Sequence, residues 1–147
     1  MNETKYLIDN NAWGFIGAKR RSSDFVQTQC RVTEDVAYEA RYTPRSRSLA
    51  SITETVTPAI LRKLGEVMRT VPVGDTSLVD LYANKGAADP VLVATALVLQ
   101  EQQEPLLFPD EWVIVTRDKA VRAKAHEFCV AVKSPEEFAQ IIDQSKS

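Results

Sequence analysis

With 147 residues, of which 44% are hydrophobic and 26% charged, the chain has the size and composition of one globular domain. A net charge of −2 supplies no global basic field, so a nucleic-acid ligand would have to be met by local basic patches and metal ions. No stretch approaches the ~18 apolar residues of a membrane span, and the best of them, Val91–Leu99, ends in polar Gln100–Glu104. The opening segment MNETKYLIDNNAWGF lacks the basic-then-apolar order of a secretory signal. Cys30 and Cys129 have no metal or redox spacing, and two reduced, packed cysteines in a cytoplasmic protein are expected.

Tyr6-Leu7-Ile8 is a short apolar run that stops abruptly at Asp9-Asn10-Asn11, as a buried parallel strand does. A helix is expected over Ala12–Ala18, then a helix end or loop at Lys19-Arg20-Arg21 and Ser22-Ser23-Asp24. Phe25–Val32 should hold a second strand. Thr33 can cap a helix running to Arg41, with Glu34 and Asp35 in the first turn where the dipole favours negative charge. Arginine-rich Tyr42–Ser48 reads as loop, and Leu49–Val56 as strand or loop.

Thr57-Pro58 joins a hydroxyl cap to a first-turn proline, and Ile60, Leu61, Leu64, Val67 and Met68 follow at helical spacing. Pro72 and Gly74 end that helix. Another is expected from Asp75 or Thr76 to Lys85, stopped by Gly86. Asp89-Pro90 repeats the cap-plus-proline signal before a helix to about Gln100, apolar nearly all round and so deep in the fold. Trp112–Thr116 is the clearest strand. Asp118 opens a helix to Glu127, Phe128–Val132 is a further strand, and Ser134-Pro135 starts a last helix with Phe138, Ile141 and Ile142 on one face. Strands alternating with helices call for crossovers: a three-layer α/β/α domain over residues 1–147 with a mainly parallel central sheet.

Ligands of such sheets gather at the carboxyl ends of the strands, where Asp9 and Asp118 fall. Singly, the acids have plain explanations. Asp89 and Asp118 are good helix caps, and Glu39 suits a solvated helix face. Asp9 is harder to dismiss, because it ends a strand that should be central, where an unpaired charge is costly.

The order of the acids carries more than its members. Asp9 ends YLIDNN, Glu39 ends VAYE on a helix, Asp89 sits in GAADPVLVATA, and Asp118 sits in VIVTRD before a helix and FCVAVKSPEEFAQII. This order resembles the PIN-domain family, ribonucleases common among toxin–antitoxin pairs. The similarity covers residues 4–18, 30–41 and 84–143 and is weak over 42–75. It implies a PIN-like fold and a metal-dependent endoribonuclease, the toxin of a toxin–antitoxin pair. Asp9, Glu39, Asp89 and Asp118 would be the catalytic acids and Mg²⁺ or Mn²⁺ ligands, with Asn11 and Thr116 as supporting groups. An RNA substrate, a cognate antitoxin and a homodimer would be the partners, with no membrane. Asp35, four residues from Glu39 and on the same helical face, is the alternative helix ligand.

An all-oxygen donor set suits Mg²⁺ or Mn²⁺ better than Zn²⁺. Phosphate contacts would fall to basic residues, with Arg117 and Lys119 nearest the acids and Lys19, Arg20, Arg21, Arg41, Arg45 and Arg47 beyond. The single histidine, His126, carries no motif, which leaves no histidine acid–base pair. Trp13 and Trp112 read as core or subunit contacts. A haloacid-dehalogenase-like phosphatase would need an acid where Asn11 stands. Action on DNA and a catalytically silent PIN-like scaffold that binds a protein or nucleic-acid partner remain open alternatives.

Overall fold

A computed structural model of the chain describes residues 3–72, 74 and 89–145. The helix expected over Asp75–Lys85 and its stop at Gly86 lie outside the described residues. Among the described residues, five parallel strands form one sheet in the order β3-β2-β1-β4-β5: β1 (Thr4–Ile8), β2 (Cys30–Thr33), β3 (Thr53–Glu54), β4 (Glu111–Val115) and β5 (Ala131–Lys133). The central pair is β1 and β4, in register from Thr4 opposite Glu111 to Ile8 opposite Val115. The mainly parallel α/β architecture expected from the alternating elements is the one observed.

Side chains alternate across the sheet with the period of two that a strand imposes. Tyr6, Ile8, Val113 and Val115 point to one face and pack with Trp13, Val26, Val36 and Phe138. Leu7 and Ile114 point to the other and pack with Ile60, Val93, Val121 and Ala125. Helices α1 (Asn10–Ile16), α3 (Asp24–Gln29), α4 (Glu34–Ala40) and α8 (Pro135–Gln144) therefore cover the first face, with the short α2 (Ala18–Arg21) alongside. Helices α5 (Pro58–Arg69), α6 (Asp89–Glu101) and α7 (Lys119–Glu127) cover the second. Among the described residues no helix is long and apolar enough to cross a membrane.

Most helix starts follow the expected chemistry. Thr33, Thr57, Asp118 and Ser134 each accept a hydrogen bond from a first-turn amide, and Ser134 with Glu137 completes a reciprocal capping box. Four expectations need correction. The strand expected over Phe25–Val32 is a helix as far as Gln29, because Ser23 accepts from the Val26 amide and starts α3; only Cys30–Thr33 pairs in the sheet. The first helix starts earlier than Ala12, because Asp9 itself caps it, and ends at Ile16, where Gly17 at φ 86° turns the chain. The strand expected over Phe128–Val132 runs instead over Ala131–Lys133, because Phe128 closes α7 and Cys129 turns the chain after it. Cys30 is buried, which pushes its thiol pKa up, whereas Cys129 is exposed at φ 61° in the turn after α7.

Candidate active site at the switch point of the sheet

From β1 the chain proceeds outward to β2 and β3, and from β4 it proceeds the other way to β5. The strand order reverses between β1 and β4, the position at which open α/β sheets hold ligands in a crevice beyond the carboxyl ends of the strands. Asp9 follows the last residue of β1, and Asp118 lies three residues past Val115 at the end of β4. Backbone pairing continues one step beyond the strands, as the Asp9 amide donates to the Val115 carbonyl at 3.0 Å. Neighbouring strands thus deliver two acids to one place.

One hydroxyl ties them together. Thr116 is fully buried; its Oγ1 donates to Asp9 Oδ2 at 2.7 Å and accepts from the Asp118 amide at 3.1 Å. Asp9 Oδ1 accepts from the Asn10 amide at 2.7 Å, and Asp118 Oδ1 accepts from the amides of Ala120 and Val121 at 2.8 and 3.3 Å. Both acids therefore cap the helices they precede, α1 and α7, where partial positive charge at the helix start favours a carboxylate.

Asp9 retains only 7% of its surface exposure. Burial raises its pKa; the hydrogen bonds from Thr116 and Asn10 pull it down, and the charge of Asp118 pushes it up again. On α4, Glu39 is exposed as a residue, but its carboxyl reaches toward the same crevice. Its pKa is raised by desolvation first, then by the charges of Asp9 and Asp35, against a hydrogen bond from the Asn10 side chain. Asp35 is half-buried and raised by desolvation and by Glu34. Between Asp35 and Glu39, Glu39 is the one that feels Asp9. The side chain of Asp89 lies outside the described residues, although its backbone begins α6.

No protein-family model matches this chain, and no curated protein matches it either.

The donors present are oxygens of Asp9, Glu39 and Asp118, a hard set suited to Mg²⁺ or Mn²⁺. A further oxygen belongs with them: Asn10 Oδ1 is buried and has no hydrogen-bond partner, a state that costs free energy until a donor or a cation arrives. The acids do not form a closed cage. Among the described residues no group of three or more His, Cys, Asp or Glu stands close enough to hold an ion. Direct ligation by every acid is not required of Mg²⁺, which keeps much of its own water. The donor chemistry fits such an ion, which Asp9 and Asp118, joined through Thr116, and Glu39, coupled to Asp9, would hold in part through water.

The sequence names Asn11 as the supporting amide and does not single out Asn10. Asn11 is exposed on the first turn of α1, while Asn10 touches Glu39. The only signal for it was an amide directly after the strand-ending acid. The basic residues divide by role. Arg117 is exposed, pairs with Glu136 and lies over the Phe15 ring at 4.9 Å; Lys119 is exposed at the start of α7. Arg20 makes two bonds to Asp143 on α8, at 2.9 and 2.8 Å, and Arg21 donates to the Trp13 and Gly14 carbonyls at the end of α1. Both make bonds within the chain, and Lys19 beside them is exposed. Trp13 is wholly buried and donates to the Arg45 carbonyl at 2.7 Å, Trp112 is core, and His126 is exposed on α7.

Proposed function

We propose that this chain is a metal-dependent endoribonuclease of PIN-like kind, and that Asp9, Glu39 and Asp118, with Asp89, are its working acids. The observation that carries the reading is the joining of Asp9 to the Asp118 turn through Thr116 at the strand-order reversal, with Asp9 coupled by charge to Asp118 and Glu39 coupled to Asp9. A buried, desolvated carboxylate facing like charges serves folding poorly. It suits a site whose negative charge is to be offset by a ligand.

A divalent cation bound there would supply a water of lowered pKa and offset charge on a phosphodiester. The chain's own residues do the positioning. Thr116 fixes the orientation of Asp9 Oδ2, the α7 cap fixes Asp118, and Asn10 links the α1 start to Glu39. Arg117 and Lys119, on either side of Asp118, would meet the RNA backbone. Hydrolysis by in-line attack of water leaves a 5′-phosphate and a 3′-hydroxyl, whereas attack by the RNA 2′-hydroxyl leaves a cyclic phosphate. The proposed role as a toxin held by an antitoxin, acting as a cytoplasmic homodimer, rests on the PIN resemblance alone.

Cleavage of end-labelled RNA with Mn²⁺ or EDTA, by the wild type and Asp9→Asn, tests the reading. Metal-dependent cleavage to 5′-phosphate ends, lost in a folded Asp9→Asn protein, is expected. Cyclic phosphate ends produced in EDTA, or full activity of Asp9→Asn, would overturn it. A second reading, a silent scaffold, is favoured by the engagement of Asp9 and Asp118 as helix caps and by the open spacing of the acids. Mn²⁺ binding without cleavage of RNA would select it.

A further inference from the structure

Core packing leaves two tyrosines unused. Tyr38 and Tyr42 are 64% and 88% exposed, although the sheet's two faces are already covered. They belong to one surface. The chain keeps helical geometry through Arg41, at φ −56° and ψ −30°, so residues 38, 41 and 42 fall on one side of the end of α4. The Arg41 guanidinium carbon lies 3.4 Å from the Tyr38 ring centroid and 4.7 Å from that of Tyr42. Its Nη1 also donates to the Tyr38 carbonyl, which fixes the group against the first ring. The three side chains make an exposed platform of two rings and one cation.

Its surroundings match a polyanion. The segment from Arg41 to Ser48 carries Arg41, Arg45 and Arg47 and no acid. The same helix end carries Glu39, the α4 acid coupled to Asp9. Beside Asp118, Arg117 covers a third partly exposed ring, Phe15. Aromatic faces interleaved with arginines are how proteins hold strands whose bases are free, because every base has a π face and every nucleotide a phosphate. A base inside a duplex has both faces covered by its neighbours and cannot use such a platform.

We propose that Tyr38, Arg41 and Tyr42 form a subsite that stacks an unpaired base of a single-stranded RNA whose backbone crosses the Asp9–Asp118 crevice. The subsite rests on the nuclease reading for its substrate, but its stacking chemistry can be measured without cleavage. Ring removal at Tyr42 uncovers one side of the platform, and ring removal at Tyr38 takes away the surface that orders Arg41. Base stacking on an aromatic side chain is worth about 1–3 kcal/mol, so each loss should weaken binding roughly 5- to 150-fold.

The test is fluorescence anisotropy with a short labelled single-stranded RNA of mixed sequence, and with the same RNA annealed to its complement, both in EDTA. Tyr42→Ala and Tyr38→Ala should weaken single-strand binding by that factor. Tyr42→Phe should bind as the wild type does, and the duplex should bind more weakly and not respond to these substitutions. Unchanged single-strand affinity in both alanine variants would overturn the subsite, even if metal-dependent cleavage were intact. Loss of affinity in both variants, in a protein that cleaves no RNA with Mn²⁺, would uphold the subsite and overturn the nuclease reading. Absence of any RNA binding by the wild type would overturn the subsite, and the nuclease reading stands or falls separately on cleavage with Mn²⁺.

Discussion

Thr116→Val keeps the shape of a fully buried side chain and removes the hydroxyl that joins Asp9 to the turn before α7. Two interactions go at once. A hydrogen bond to a charged group contributes about 1.5–3 kcal/mol, and a neutral one about 0.5–1.5 kcal/mol. The expected loss is therefore about 2–4 kcal/mol at neutral pH. At roughly 3 °C per kcal/mol for a chain of this length, the melting temperature should fall by about 6–12 °C.

The loss should also depend on pH. Burial already raises the Asp9 pKa, and the Thr116 hydrogen bond is the largest effect opposing it. Without that bond the folded-state pKa rises further, so the variant holds its proton to higher pH than the wild type. Above both folded pKa values Asp9 is ionised in both proteins and the full deficit appears. As pH falls through them Asp9 becomes neutral in both, and the charged part of the deficit disappears. Thermal or urea melts of wild type, Thr116→Val and Thr116→Ser from pH 8 to pH 4 measure this, with serine as the variant that keeps the hydroxyl. A Thr116→Val protein as stable as the wild type at neutral pH, or a deficit that does not shrink toward acid, would refute the bridging role.

Three further outcomes are expected. Millimolar Mn²⁺ should raise the melting temperature relative to EDTA, since a ligand at about 100 times its dissociation constant stabilises by about 2.7 kcal/mol; identical melts would remove the metal from the argument. Among the acids around α4, Glu39→Gln should reduce RNA cleavage far more than Asp35→Asn or Glu34→Gln, and the opposite order would mean that another acid serves the site. Because the pKa values of Asp9, Glu39 and Asp35 are all raised by folding, these groups add stability below their unfolded pKa values and lose that contribution as pH rises through the folded ones. Asp9→Asn should therefore flatten the fall in stability between mildly acid and neutral pH, which a pH series of urea melts would show or deny.

The strands β1 and β4 and the helices after Thr33, Thr57, Asp118 and Ser134 were readable from local chemistry alone. Buried parallel strands are short apolar runs, and hydroxyl, carboxylate and proline caps act within a turn of the residue that bears them. Phe25–Gln29 misled for the same local reason. Its aromatic and β-branched residues favour a strand, but the Ser23 cap and the packing of Val26 under the sheet decide for helix.

The acids themselves were named by their order in the chain, since strand-ending and cap positions leave a mark in sequence. Their meeting was not written there, because strand order is a long-range property. Asp9 and Asp118 are brought together by the pairing of β1 with β4, over a hundred residues apart. The amide that touches Glu39 is Asn10 rather than Asn11, and that choice follows from the rotation of α1 about the Asp9 cap. The bond that fastens the site runs through the Thr116 hydroxyl, and the sequence could name Thr116 only as a supporting group. Composition and local pattern determine which residues are strands, caps and candidate acids. Only the packed sheet decides which of them share a solvent-poor crevice, because burial and charge coupling depend on distance in space and not along the chain.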